Sequence, residues 1–513
     1  MVKQDRRTLA QVMDGLSTRG EVPALITPEG VTVSYQSLSE RADRLANELY
    51  ELGLRRGQPF AFQLANGSRI VECYLACARS GLLGVPLSDR LTAADLAEQL
   101  SDSGATVLLY GAESAELVSL LEREERSPGV LISELAGAAP LDYESLLNRG
   151  SPSRPPVDPP GTDVLFVMYT GGSTGTSKAA MQTQESWGVA VHAAASQWGL
   201  DEQDRHIITL PMDHVSWFTA AAMLHVGAVV RIERRWDPDA VLERIEHERI
   251  TVLNVIPTML GDLLERLEEG TRRDLSSLRL ITVGGSAMPV EMYRRAQSHF
   301  GSILACMYGM TETSGPVTYL LPHEMSLQRL RCVGRPHPDV ELAILGEDGE
   351  PVIGEVAGEI ALRGPQVSPG YLHHPQESAE SFRDGWFLTG DVGIVDDEGF
   401  LFIVDRRKDM IKSGGFNVYP KEIEEVLYKH PDVNEAVVVG VADPRWIEAV
   451  HAVVSLKEGS VVDEATLREH CREWLPNYKV PKRVRIERSL PRTSLGKLDK
   501  PAVREQLSRV GAT

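Results

Sequence analysis

A short apolar run at residues 163–169 (DVLFVMY) feeds directly into a loop of glycines and hydroxyls that ends on a lysine, Tyr169-Thr-Gly-Gly-Ser-Thr-Gly-Thr-Ser-Lys178. The run is short and apolar after Asp163, which reads as a buried strand. Glycines let backbone N–H groups approach phosphate oxygens closely, Ser173 and Thr174 add hydroxyl donors, and Lys178 adds positive charge. The G-x-x-x-x-G-K-[ST] spacing of a Walker A loop is absent. Taken alone, the segment is also compatible with an ordinary surface glycine loop. More than 300 residues later, Pro491-Arg-Thr-Ser-Leu-Gly-Lys-Leu-Asp-Lys500 sets one lysine, Lys497, directly after a glycine.

Between these ends the hydrophobic pattern alternates. Residues 31–35 and 206–210 read as strands, 37–52 as a helix with Leu38, Ala42, Leu45 and Leu49 on one face and Gly53 at its end. Residues 237–249 read as a helix with proline in its first turn, 251–256 and 280–283 as strands, and 257 onward as another helix. That order predicts an α/β sheet covered on both faces. Proline-rich residues 151–160 look like a linker. From about Val333 the texture turns to short strands (340–345, 358–363) around the acidic turn 346–349, a β-rich subdomain. Six of the eight residues 405–412 are charged, between a strand at 401–404 and Gly414-Gly415, a natural place for a domain joint.

At 513 residues, one core is not expected to serve the whole chain. The net charge of −20 argues against a nucleic-acid partner. The balance is uneven: residues 405–513 carry 20 Lys and Arg against 17 Asp and Glu, so cations that suit a polyanionic small molecule concentrate there. No apolar run approaches a membrane span, and residues 1–15 lack a secretory signal, which makes the cytoplasm the expected location. Five scattered cysteines form no CxxC pair, and His206, His225, His373 and His374 show no metal spacing.

The loop at 169–178 resembles the YTSGTTGxPKG phosphate loop of the adenylate-forming superfamily, which includes acyl-CoA synthetases, luciferases and nonribosomal adenylation domains. Gly171, Ser177 and Ala179 depart from that pattern without removing its donors. The resemblance continues in order along nearly the whole chain. It implies Thr170, Gly171, Gly172, Ser173, Thr174, Gly175 and Lys178 around the phosphates of ATP, and Gly284-Gly285-Ser286 beside adenine. In Tyr308-Gly309-Met310-Thr311-Glu312, which matches YGxTE, it implies Tyr308 on the adenine ring, Thr311 on the α-phosphate and Glu312 on Mg²⁺. Asp391 of Thr389-Gly-Asp391 would grip the ribose hydroxyls, joined by Arg406. The element DRRKDMIKSGG at 405–415 would be the hinge, with Lys408 as pivot and Lys412, Gly414 and Gly415 as the thioesterification face. Lys497 would stabilise charge building on the α-phosphorus, a role whose loss costs about 10²–10³ in rate.

Leu210-Pro-Met-Asp-His-Val-Ser-Trp-Phe218 matches the LPxFHxxG region of acyl-CoA synthetases. His214 would lie beside the substrate carboxylate, with Trp217, Phe218 and Met310 lining an acid pocket. Amino-acid-activating relatives carry aspartate where His214 falls, which disfavours an amino acid, although Asp213 is adjacent. Asp213, His214 and Ser216 are too close in sequence for a hydrolase triad. The resemblance therefore implies an ATP- and Mg²⁺-dependent acid–CoA ligase for a hydrophobic, aromatic or bulky monocarboxylate. It implies a large N-terminal domain of α/β sheets plus a β-rich subdomain over 1–404, and a small mobile α+β domain over 405–513. A stand-alone adenylase loading a carrier protein is the alternative, and a non-catalytic binding module is a third reading that retention of Glu312, Asp391, Arg406 and Lys497 opposes. A homodimer fits the resemblance.

Overall fold

A computed structural model describes residues 7–137, 139–170, 178–213, 215–285, 288, 290–330, 332–352, 354–414, 416–492 and 498–510, with the backbone alone for residues 170, 215 and 508–510. The chain divides into two compact units, Met1–Leu342 with Leu362–Phe387, and Ala343–Ala361 with Leu388–Thr513. The division falls inside the strands Glu341–Leu345, Gly358–Arg363 and Trp386–Val395.

The first unit is built on two sheets. One has seven strands in the order Leu141–Asp142, Val130–Ser133, Val107–Tyr110, Pro59–Gln63, Leu83–Pro86, Val164–Thr170 and Lys178–Thr183. Every pairing in it is parallel except the last. The other has nine, in the order Arg335–Pro336, Gly315–Leu320, Leu304–Met310, Leu280–Val283, Val252–Val255, Arg205–Ile208, Val229–Ile232, Pro23–Ile26 and Thr32–Ser34. It is parallel from Leu304–Met310 to Pro23–Ile26 and antiparallel at both edges. Parallel strands covered on both faces are apolar along most of their length; every residue of Val252–Val255 and Leu280–Val283 is buried, and their two polar side chains satisfy each other, Asn254 Nδ2 donating to Thr282 Oγ1 at 2.9 Å.

Local chemistry sets the helix starts. Asp237 caps Pro238–Glu248, its Oδ1 accepting from the backbone N–H groups of Asp239 and Ala240 at 3.0 and 3.1 Å, with Pro238 where no N–H is needed. The helix expected at 37–52 runs Tyr35–Glu51, because the Ser34 hydroxyl accepts from Ser37 N–H at 3.1 Å and starts it two residues earlier. The proline-rich stretch expected to be a linker is fastened within the first unit. Arg44 donates to the Gly150 carbonyl at 2.7 Å, and Asn47 to the carbonyls of Ser151 and Ser153 at 2.9 and 2.8 Å.

The second unit is α+β. Its sheet orders Phe416–Val418, Ile411–Ser413, Ile447–Leu456 and Val433–Asp443, with Arg483–Glu487 parallel to Ile447–Leu456. Ile423, Leu467, Val438 and Val450 share one core between sheet and helices. Leu401–Arg406 pairs antiparallel with the preceding strand, setting Asp391 opposite Arg406. Among the described residues, no helix is long and apolar enough to cross a membrane.

Candidate active site

The strands that flank the glycine loop are antiparallel partners, with Thr170 opposite Lys178. Tyr169, the last side chain described before the loop, is anchored: its hydroxyl bonds the Gln99 carbonyl at 3.0 Å and Asp102 Oδ2 at 2.9 Å. Burial, reinforced by the bond to Asp102, pushes its phenol well above the usual range. Gly171, Gly172, Ser173, Thr174 and Gly175, and the Thr170 side chain, lie outside the described residues.

The YGxTE element ends one strand of a second antiparallel pair, Leu304–Met310 with Gly315–Leu320. The ladder shifts register between Tyr308 and Gly309. A Cβ at Gly309 would lie 2.3 Å from the Gly315 carbonyl oxygen, so only glycine allows the strands this close. Thr311–Thr313 then form one 3₁₀ turn, closed by Thr313, whose hydroxyl accepts from Met310 N–H at 3.0 Å and donates to the Gly315 carbonyl at 2.7 Å. Thr311 and Glu312 are thereby held on a short, pinned corner.

Buried neutral groups tie this corner to the loop's second strand. Trp187 Nε1 donates to Gln182 Oε1 at 2.9 Å, and Gln182 Nε2 donates to the Thr311 carbonyl at 2.6 Å. Segment 368–372 completes the tie. Ser368 N–H donates to the Glu312 carbonyl at 2.7 Å, and its hydroxyl donates to the Met181 carbonyl at 2.6 Å. Tyr371 OH donates to Glu312 Oε1 at 2.8 Å, while Lys178 Nζ stands 5.5 Å from the centre of the same ring. Burial, then the Glu312 carboxylate, pushes the Tyr371 phenol well up, so it stays protonated and donating. The sequence carried no signal for Tyr371: a tyrosine after a glycine has no spacing that points to Glu312.

Among the described residues, no group of three or more His, Cys, Asp and Glu is arranged to hold a metal. A half-buried carboxylate that shares the Tyr371 ring with the Lys178 ammonium nevertheless suits Mg²⁺, which takes one or two carboxylates and fills its other positions with water and phosphate oxygens. Glu312 fits that requirement.

The other expected residues are distributed as follows. Gly284 N–H donates to the Val255 carbonyl at 3.1 Å, and Gly285 has φ +83°, a left-handed turn that favours glycine; Ser286 lies outside the described residues. Met310 is half-buried at the end of its strand. Trp217 and Phe218, 0% and 1% exposed, are closed inside an aromatic cluster. There Trp217 stacks on Tyr74 at 4.5 Å, and Trp187 tilts against Trp217 and Phe218. His214 lies outside the described residues.

In the second unit, Arg406 Nε sits 3.3 Å from Asp391 Oδ1, joining the two expected ribose contacts. Lys408 follows on the 3₁₀ turn Arg407–Asp409, where burial and then Arg406 lower its ammonium below the usual lysine value. Lys412 is exposed on the strand Ile411–Ser413, its N–H donating to Glu448 Oε2 at 2.8 Å. Gly414 has φ +59°, and a Cβ there would lie 2.8 Å from the Trp446 ring. Lys482 Nζ stands 4.7 Å from the centre of that ring and the Arg445 guanidinium 5.0 Å, a cationic aromatic surface the sequence reading missed. Gly415 and Lys497 lie outside the described residues, though Arg492 and Leu498 form an antiparallel bridge on either side of 493–497.

The strand that begins at Lys178, tied through Gln182, Ser368 and Tyr371 to the corner of Thr311 and Glu312, is an arrangement that fits the site of an adenylate-forming enzyme. The chain belongs to the AMP-binding enzyme family: that family model matches residues 15–372, and the AMP-binding enzyme C-terminal domain matches residues 422–497. It is 37% identical to a feruloyl-CoA synthase from Amycolatopsis over 93% of this chain and 94% of that protein. It is 36% identical to a 2-succinylbenzoate–CoA ligase from Geobacillus kaustophilus over 95% and 96%. Its fold superimposes on ATP-bound MatB from Rhodopseudomonas palustris with a TM-score of 0.89 at 28% identity, over 98% and 99% of the two chains.

Proposed function

We propose that the protein is an ATP- and Mg²⁺-dependent acid–CoA ligase for a hydrophobic, aromatic or bulky monocarboxylic acid, acting in the cytoplasm. The observation that carries the reading is the Glu312–Tyr371–Lys178 cluster joined to the Thr311 corner, a set of groups matched to a nucleotide triphosphate. In the first step a carboxylate oxygen of the acid attacks the α-phosphorus of ATP, the bond to pyrophosphate breaks, and acyl-AMP forms. Lys178 and the glycine loop hold the phosphates, Thr311 bonds the α-phosphate, and Lys497 stabilises charge on the pentavalent phosphorus. Glu312 would hold a magnesium ion, whose chemistry is to screen the phosphate oxygens and the leaving pyrophosphate. Tyr308 and Gly284-Gly285-Ser286 enclose adenine, and Asp391 with Arg406 takes the ribose.

In the second step the CoA sulfur attacks the acyl carbon and AMP leaves. The residues after 404 act as a separate small domain that turns about Lys408, withdrawing Lys497 and presenting Lys412, Gly414 and Gly415, a hinge-type change. Trp446 with Arg445 and Lys482 offers a flat, cationic surface suited to the nucleotide end of CoA. Met310 and His214 are assigned to the acid, and Trp217 and Phe218, closed in the aromatic cluster, serve as packing. The full-length similarity to CoA ligases favours CoA over a carrier protein as acceptor.

Incubation with ATP, Mg²⁺ and a panel of acids, with and without CoA, tests the proposal by mass spectrometry. Acyl-CoA formed only with CoA present is the expected result. Acyl-AMP that accumulates untouched by CoA would move the acceptor to a carrier protein.

A further inference from the structure

Tyr371 belongs to none of the motifs that mark the site, yet it touches two of them. Its ring and hydroxyl are held from several directions. Residue 371 bridges Ala180 in antiparallel fashion, Leu372 N–H donates to the Ala179 carbonyl at 2.9 Å, and Met181 N–H donates to the Gly370 carbonyl at 3.0 Å. Tyr371 N–H donates to Ser378 Oγ at 2.9 Å, and Phe382 meets the ring edge-on at 5.6 Å. Gly370, at φ +146°, makes the close approach possible, since a Cβ there would lie 3.0 Å from Ser378 Oγ. The side chain is 9% exposed. It is docked against the strand Lys178–Thr183, 59 residues in sequence from the carboxylate it bonds.

Resting on the reading of Glu312 as the metal-holding carboxylate, we propose that Tyr371 is a positioning residue for nucleotide–metal binding. Its hydroxyl fixes one oxygen of Glu312 so that the carboxylate is aimed before metal and nucleotide arrive, and its ring seats the Lys178 ammonium at the end of the phosphate loop. A carboxylate on a one-turn corner otherwise samples several rotamers, and ordering it at binding would weaken the complex. Partners that orient a metal-holding group typically matter about 10- to 100-fold in metal affinity. The two halves of the role separate by substitution: Tyr371→Phe removes the hydroxyl and keeps the ring, and Tyr371→Leu removes both.

The test measures binding of Mn²⁺ by electron paramagnetic resonance in the presence of α,β-methylene-ATP, which cannot react, with thermal unfolding run in parallel. Y371F is expected to weaken Mn²⁺ binding about tenfold, with its thermal midpoint at the wild-type value and the KM for the acid unchanged. Y371L is expected to lose further affinity for the nucleotide analogue, and E312Q to lose Mn²⁺ binding most of all. Wild-type Mn²⁺ affinity in Y371F alongside weakened binding in E312Q would overturn the inference and leave Tyr371 a packing residue. Unchanged Mn²⁺ binding in E312Q as well would remove the metal role of Glu312, and the inference with it.

Discussion

Replacing Trp217 separates two roles open to it, a wall of the proposed acid pocket and packing in the aromatic core. The side chain is 0% exposed, stacked nearly flat on Tyr74 with an interplanar angle of 7°. Truncation of such a residue to alanine costs about 3–5 kcal/mol, from lost transfer energy and the cavity left behind. Phenylalanine should cost far less. It keeps a ring on Tyr74, a pairing worth about 0.5–1.5 kcal/mol. It also deletes an indole N–H that is buried without a partner among the described residues, whose desolvation already costs about 1–3 kcal/mol. W217A should therefore lower the urea midpoint strongly and W217F only slightly. Neither should change the ratio of kcat/KM between two acids by more than about threefold. Urea unfolding followed by near-ultraviolet circular dichroism, with kcat/KM across an acid panel, reads both quantities. A tenfold change in acid preference, about 1.4 kcal/mol, with the midpoint at its wild-type value would refute the packing argument and return Trp217 to the pocket wall.

Lys497→Ala should lower acyl-AMP formation by at least about 10²-fold while sparing thioester formation from supplied acyl-AMP; equal loss of both half-reactions, read by separate rapid-quench assays, rejects that division of labour. Lys408→Pro should trap one arrangement and uncouple the two half-reactions, so wild-type overall turnover in a folded K408P protein rules Lys408 out as pivot. His206 is buried with Nδ1 on the Val252 carbonyl at 3.0 Å, and burial lowers its pKa from 6.5 to about 4. With the folded value below the unfolded one, stability is full above pH 6.5 and falls as pH drops toward 4, by up to about 3 kcal/mol. H206N should flatten that slope, and identical acid sensitivity in H206N and wild type would sink the assignment.

Much of the framework was readable because its signals are local. The strands expected at 280–283 and 358–363 appear with those bounds, since each is a compact apolar or alternating run between turn residues. Pro238 after Asp237 announced a helix start through one side chain's hydrogen bonds. What escaped the sequence was set by distant partners. The stretch 151–160 has a linker's composition, and partners a hundred or more residues earlier fasten it: Asn47 holds the carbonyls of Ser151 and Ser153, and Asp14 pairs with Arg154. Trp217 and Phe218 sit on the helix Val215–Val226, which is apolar all round, so periodicity gave no hint of which side meets a ligand and which meets Tyr74. Tyr371 acquires its meaning from Glu312 across the fold, and no spacing rule encodes that meeting.

The glycine pair at 309 and 315 has a consequence for changing what the enzyme accepts. Gly309 leaves no room against Gly315, and Gly315 leaves none against Phe218, whose ring a Cβ there would meet at 2.8 Å. The strand pair that carries Tyr308, Thr311 and Glu312 is thus seated flush on the aromatic core, with no slack for a side chain at either contact. A variant library that widens the acid side by shifting this pair would displace Glu312 by the same movement. Broader substrate range reached that way would come with weaker handling of the nucleotide, whereas changes confined to the side chain of Met310 would leave the seating intact.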